Sequence, residues 1–148
     1  FEASSHSAAV LAGADAEQAE ALRVFGDHLG VAFQLMDDLL DYRGDAQAMG
    51  KNVGDDLAEG KPTLPLIHAM REGTPAQAEL VRKAIQQGGS QDLESIRAAV
   101  EAAGSLDYTA QLARHYAEKA IQCLSTLPAS TYRDALTELT RFAVARSI

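Results

Sequence analysis

The chain of 148 residues carries 21 acidic and 13 basic side chains, a net charge of -8, with 47% hydrophobic and 5% aromatic residues. That hydrophobic content supports a buried core and excludes a disordered chain. The acidic balance excludes nucleic-acid binding through phosphate neutralisation, and the single cysteine, Cys123, excludes a disulfide framework or a cysteine-based metal site. No apolar run nears the roughly 18 residues of a membrane span, so a cytoplasmic, soluble helical domain is expected. Phe1 stands where a translated chain has Met, and the sequence is expected to be a processed product or a piece of a longer one.

In chain order the punctuation is helical. Ser4 and Ser5 are read as caps of a short helix through Ala8, Val10 and Leu11 to Gly13. From Asp15 to about Tyr42, Leu22, Phe25, Leu29, Ala32, Phe33, Met36, Leu39 and Leu40 recur at steps of three and four. That period predicts one long amphipathic helix, roughly 40 Å long at about 1.5 Å per residue. Gly26 and Gly30 each weaken it by about 1 kcal/mol relative to Ala, and their spacing predicts a helix packed close at that point. Gly44 to Gly60 has no clean period and is expected to be a long polar loop. Thr63 or Pro62 then opens a helix ending at Gly73, with Pro65 in its first turn. Thr74 and Pro75 open the next, closed by Gly88 and Gly89. Ser90 precedes another that ends near Gly104. Ser105 is read as the cap of a helix through Leu106, Leu112, Tyr116, Ala120 and Leu124, broken by Pro128. Ser130 or Thr131 starts the last, with Leu136, Leu139, Phe142 and Ala143. The expectation is an all-α chain of about seven helices in a single domain.

The charge is concentrated. Between Asp37 and Lys61 lie Asp37, Asp38, Asp41, Asp45, Asp55, Asp56 and Glu59 against Arg43, Lys51 and Lys61, an excess equal to half the net charge. Asp37 and Asp41 share a helical face with Cβ atoms about 5–6 Å apart. At an effective dielectric near 20, two such anions repel by roughly 3 kcal/mol. If the pair is partly enclosed, one carboxylate protonates or a cation binds between them. Oxygen ligands without His or Cys suit a hard cation, Mg²⁺ completed by phosphate oxygens above all. An EF-hand begun at Asp41 fails, because Arg43, Ala46 and Asn52 stand where ligands or the turn glycine belong. The alternative is a solvated acidic patch. Against it stand the apolar neighbours Val31, Ala32, Phe33, Leu35, Met36, Leu39 and Leu40. The place at a helix C-terminus also counts against it, since the macrodipole disfavours negative charge there by about 0.3–1 kcal/mol.

Lys51 and Lys61 are candidate phosphate contacts, with a structural ion pair to a neighbouring Asp equally open. A P-loop is excluded, because the glycine-to-glycine-lysine spacings are one residue too long and Asn52 and Pro62 replace the Ser or Thr. Gln34, three residues before Asp37, is a candidate hydrogen-bond donor to a ligand or else a buried packing amide. His6, His28, His68 and His115 lack metal-ligand spacing and are read as structural. Cys123 is read as a small core hydrophobe.

The stretch GVAFQLMDDLLDYRGDAQAMGKNVGDDLAEGKPTLPLIHAM, Gly30 to Met70, closely resembles the second aspartate-rich region of all-trans polyprenyl diphosphate synthases. The later blocks around Ala103-Gly104-Ser105-Leu106 resemble the long-chain bacterial members, those of the octaprenyl type above all. The resemblance implies the C-terminal half of an all-α, isoprenoid-synthase-type helical bundle, residues 1–148 being part of one synthase domain. It implies a homodimer as the full-length enzyme and Mg²⁺-dependent head-to-tail condensation of isopentenyl diphosphate with an allylic diphosphate. Departure of the diphosphate leaves an allylic cation; the double bond of isopentenyl diphosphate attacks it, and loss of a proton completes the extension. Position by position, Asp37 matches the principal metal ligand, with Asp38 and Asp41 in support. Phe33 and Gln34 match residues at the allylic substrate, and Lys51 and Lys61 the catalytic, diphosphate-contacting lysines.

Members of that family are about twice as long, and the part expected before Phe1 would hold the first DDxxD. The chain alone is therefore expected to make no prenyl product. Two other readings are weighed: a non-catalytic helical subunit that regulates a complete synthase, and a plain helical interaction domain with an acidic face. Retention of Asp37, Asp38, Asp41 and both lysines favours the enzyme.

Overall fold

A computed structural model describes residues 1–43, 55–87 and 93–145, and every regular element among them is a helix. The all-α expectation is met. Helix α1 spans Glu2–Leu11 and α2 spans Ala16–Arg43. After a single turn, α3 at Asp55–Ala58, come α4 (Leu64–Glu72), α5 (Pro75–Gln87), α6 (Leu93–Ala102) and α7 (Ser105–Cys123). A 3₁₀ turn at Leu124–Thr126 leads to α8, Thr131–Ala145. No helix among the described residues is long and apolar enough to cross a membrane.

Several caps act as the sequence suggests. Asp15 accepts a hydrogen bond from the Gln18 amide at 2.8 Å, starting α2. At α5 the exchange is reciprocal: Gln77 Oε1 accepts from the Thr74 amide at 2.8 Å, and Thr74 Oγ1 from the Gln77 amide at 3.3 Å. Ser130 Oγ accepts from the Arg133 amide at 3.2 Å. Two expectations fail. Ser4 and Ser5 lie inside α1, where the Ser5 hydroxyl donates to the Phe1 carbonyl at 3.1 Å. Ser105 is the first residue of α7 rather than its cap, and its hydroxyl is spent on His68. The stretch between Gly44 and Gly60 is not all loop, since α3 forms within it; residues 44–54 lie outside the described residues.

The chain divides into two compact units, Phe1–Met36 with the stretch from Leu112 onward, and Asp37–Gln111. In the first, Phe25 and Leu29 of α2 bury themselves with Ala120, Leu124 and Ala143, bordered by Leu22, Phe33, Cys123, Leu127 and Leu136. Burying each large side chain is worth about 1.5–3 kcal/mol. The glycine pair on α2 meets the start of α1, as its spacing predicts. A Cβ on Gly26 would lie 2.8 Å from the Phe1 carbonyl oxygen and 2.9 Å from Glu2 Cα, while one on Gly30 would meet the Phe1 side chain first, at 3.2 Å. Arg23 of α2 also pairs with Glu2 and, at 2.8 Å, with Glu20.

In the second unit α4 packs on α5 and α6. Leu57, Leu66, Ala69, Val81, Ile96 and Val100 are wholly buried there. A polar link crosses this core: His68 Nδ1 lies 3.0 Å from Ser105 Oγ, and the imidazole stacks on Tyr108 with ring centroids 4.2 Å apart. His68 is thus structural, as read from the sequence. Thr109 donates its hydroxyl to the Ser105 carbonyl at 2.8 Å, so these three buried side chains, His68, Ser105 and Thr109, find polar partners.

Two outcomes are expected. Gly26→Ala must push α1 off α2 by a backbone clash, and should cost about 1–3 kcal/mol in thermal or urea unfolding, with Gly30→Ala costing less. Cys123 is half-buried against the first core, and burial pushes its thiol up. A raised thiol value means the neutral form is favoured in the fold, a contribution fully present below the unfolded-chain value and lost as pH rises through the folded one. Alkylation of native Cys123 by iodoacetamide should therefore reach half-maximal rate at higher pH than in the urea-unfolded chain.

Candidate functional site

The aspartates occupy the last two turns of α2. Their helical neighbours Leu39, Leu40 and Tyr42 are buried, which fixes the rotation of the helix end. Asp37 and Asp41, four residues apart, are half-buried on one face, and Asp38, about a hundred degrees round the helix, is buried at 8% exposure. The helix macrodipole and their mutual repulsion both oppose charge at the Asp37–Asp41 pair.

Among the described residues no group of three or more His, Cys, Asp or Glu side chains converges to hold a metal unaided. What α2 offers is a pair of carboxylates, with oxygen donors only. That set fits Mg²⁺, which binds through one or two carboxylates and completes its octahedron with waters and substrate phosphates. It does not fit a metal that needs a closed protein cage. On α2 the residues that could hold such an ion are thus the Asp37–Asp41 pair, with Asp38 buried to one side of it.

Lys61 is delivered by a turn whose geometry is local. The single turn α3 is closed by Gly60, whose φ of 70° is the left-handed conformation that glycine adopts freely. The Gly60 amide donates to the Leu57 carbonyl at 2.9 Å and the Lys61 amide to the Asp56 carbonyl at 2.9 Å. This is the paired closure of a Schellman motif, and Pro62 bars the helix from continuing. The Lys61 ammonium lies 2.6 Å from Glu59 and 2.9 Å from Asp56. Those two carboxylates, Glu59 first, hold the ammonium above its ordinary lysine value. Of the two readings open for Lys61, the ion pair is present in this structure. Lys51 lies outside the described residues.

Two further residues of this unit escaped the sequence reading. Tyr42, next to Asp41, is 2% exposed, and burial pushes its hydroxyl up to about 12; the Thr63 hydroxyl opposes this and Asp41, Asp56 and Asp38 add to it. The phenol therefore stays protonated at neutral pH. Thr63 is the N-cap of α4 but makes no side-chain cap bond. Pro65, at the second helical position, removes one of the amides such a cap would satisfy. A tyrosine directly after the last aspartate of the motif and a Thr-x-Pro cap were the available signals.

Phe33 and Gln34 precede the aspartates on α2 but belong to the first unit. The Phe33 ring lies 5.3 Å from that of Phe1, centroid to centroid, and borders the first core. Gln34 is exposed, which removes the alternative of a buried packing amide. Two cavities of about 500 and 510 Å³ lie in the first unit: one between α7 and α8, lined by Arg114, Glu118 and Arg141, the other lined by Ala8, Leu22, Phe25 and Leu136. Neither includes a candidate residue.

Comparison with known proteins bears on this arrangement. The family profile described as polyprenyl synthetase matches residues 1–103. Octaprenyl diphosphate synthase of Escherichia coli is 52% identical over 147 residues, covering 99% of this chain and 46% of that protein. The octaprenyl diphosphate synthase of Haemophilus influenzae is 49% identical over 148 residues, covering 99% and 45%. A polyprenyl synthase from Caulobacter crescentus CB15, solved in complex with calcium and isoprenyl diphosphate, superposes with a TM-score of 0.89 at 45% identity, over 100% of this chain and 46% of that one. The chain thus spans about half the length of the curated relatives it matches.

The Lys61 pairs are solvent-exposed, and such pairs contribute little to folding. Lys61→Met should leave the thermal unfolding midpoint essentially unchanged in a circular-dichroism melt.

Proposed function

Because the chain belongs to the polyprenyl synthetase family, we propose that it carries the second aspartate-rich half of a trans-prenyltransferase site. The reaction is head-to-tail condensation of isopentenyl diphosphate with an allylic diphosphate, giving a long-chain product of the octaprenyl type. Residues 1–148 form the C-terminal portion of a single synthase domain whose full-length form is a cytoplasmic homodimer. One observation carries this reading: a half-buried carboxylate pair set at a helix C-terminus, where neighbouring charge and dipole both oppose it, in a chain about 50% identical to octaprenyl synthases along 99% of its length.

In this reading Asp37 is the main ligand of Mg²⁺, supported by Asp41 and Asp38. The divalent ion would neutralise the allylic diphosphate and make it a better leaving group. A relative solved with calcium and isoprenyl diphosphate supports the choice of a divalent cation beside a diphosphate. Lys61, and Lys51 with it, receives the negative charge that develops as the carbon–oxygen bond breaks. For Lys61 this means exchanging exposed contacts with Glu59 and Asp56 for phosphate oxygens, a cheap exchange because surface pairs are weak. Phe33 and Gln34 orient the allylic chain next to the reacting carbon.

The 148 residues contain the DDxxD pattern once, at Asp37–Asp41. A site built on two such motifs is incomplete on one, so the chain by itself makes no prenyl product. Incubation with Mg²⁺, farnesyl diphosphate and labelled isopentenyl diphosphate should give no elongation, and elongation would overturn the claim of incompleteness. Calorimetry tests the binding half separately. Inorganic pyrophosphate and Mg²⁺ should each bind measurably only in the presence of the other, and Asp37→Asn should weaken that joint binding at least ten-fold. A folded sample giving no heat of joint binding would sink the metal–diphosphate assignment and favour a helical regulatory subunit instead.

A further inference from the structure

The first turn of α7 makes two long-range contacts inside the second unit, and each reaches an element that carries a candidate residue. Asp107 accepts a hydrogen bond from the Arg43 guanidinium at 2.8 Å, across 64 positions of sequence. Ser105, two residues earlier, lies 3.0 Å from His68 Nδ1, and Tyr108 stacks on the same imidazole. Arg43 ends α2, two residues past Asp41. His68 lies in α4, the helix that the Lys61 turn leads into.

Backbone bonds carry the second contact on to Lys61. The Thr63 amide donates to the Lys61 carbonyl at 3.0 Å, and the Ile67 amide to the Thr63 carbonyl at 3.0 Å. The lysine turn is thereby hydrogen-bonded into the start of α4. His68 and Ser105 are both buried, and a buried polar contact is costly to leave unmade, so this one fixes α4 against α7. The contact to α2 is of another kind. Asp107 is largely exposed and Arg43 partly so, and such a pair adds little to stability. Its effect is geometric: it ties the last residue of α2 to the same helical turn that holds α4.

We infer that Asp107 is a positioning residue: through Arg43 it sets the end of α2, and with it the Asp37–Asp41 pair, against the Lys61 turn that Ser105 holds through His68. Asp107 touches no substrate. This rests on the metal–diphosphate reading of the site and adds to it the bond that sets the carboxylates and the lysine in register for one diphosphate.

Bulk electrostatics and positioning predict opposite signs here. Asp107→Asn removes a negative charge, which by itself favours an anionic complex of Mg²⁺ and pyrophosphate. Lost affinity in that variant therefore reports geometry. The test applies calorimetry of inorganic pyrophosphate with Mg²⁺, and thermal unfolding, to Asp107→Asn, Asp107→Glu, Arg43→Gln and the Asp107→Asn, Arg43→Gln double variant, with wild type and Asp37→Asn as references. Asp107→Asn should weaken joint binding about three- to five-fold, the ceiling for an exposed pair, with the unfolding midpoint unchanged. Asp107→Glu, which keeps the charge, should retain most of the affinity. In the Arg43→Gln background Asp107→Asn should cost nothing more, because its effect passes through Arg43. If Asp37→Asn weakens binding and Asp107→Asn binds at least as tightly as wild type, the positioning role is wrong and the site reading stands. An equal loss from Asp107→Asn with and without Arg43 overturns the role as well. If wild-type protein shows no joint binding, or Asp37→Asn leaves it unchanged, the site reading fails and takes this inference with it. Should Arg43→Gln not fold, Asp107→Asn and Asp107→Glu decide alone: lost affinity in the first and kept affinity in the second support the role, and any other pair of results overturns it.

Discussion

The constraint on which the rest depends is the unbroken run of α2 from Ala16 to Arg43. A helix of that length must serve several neighbours with one repeat. Its early turns give Phe25 and Leu29 to one core, and Gly26 and Gly30 admit the start of α1. Its last turns bury Leu39, Leu40 and Tyr42. The 3.6-residue period then leaves no choice about Asp37 and Asp41: with the apolar positions turned inward, the carboxylates must stand together at the rim. Their geometry is inherited from packing, and a break in α2 would scatter them.

Much of this was legible because the period of α2 is strong and the caps around it follow local rules. Asp15, Thr74 and Ser130 accept amide hydrogen bonds as their residue types predict. Local rules misled where a tertiary partner outbid them. Ser105 looks like a cap by type and position, but a buried imidazole at 3.0 Å is the more demanding customer for its hydroxyl. Ser5 likewise turns to its own helix. The single turn of α3 was invisible for a different reason: four residues carry no period, and its closure depends on the left-handed Gly60.

The candidate site shows the same division. The carboxylates were legible as residue types at a spacing, and the family resemblance named the lysines. What one sequence does not show is which hydroxyls a fold withholds from ordinary use. Thr63 reads as a helix cap until Pro65 is seen to remove an amide from the first turn, and Tyr42 reads as core until its buried oxygen is found without a hydrogen-bond partner. Both oxygens lie buried without a hydrogen-bond partner, which is a property of three-dimensional neighbours alone.

That account also bears on why the site tolerates its own electrostatics. Carboxylates at a helix C-terminus are destabilising, and folding would select against them if stability were the only demand. The second unit holds them anyway, on a helix end secured by Leu39, Leu40 and Tyr42, all at least nine-tenths buried. Apolar burial thus offsets a charge arrangement that a bound cation would relieve. A cation bound to the folded state alone would in turn add to stability by mass action. On this reading the strain at the end of α2 and the affinity for a divalent ion are one quantity seen from two sides. Relieving the first by removing a carboxylate should always diminish the second.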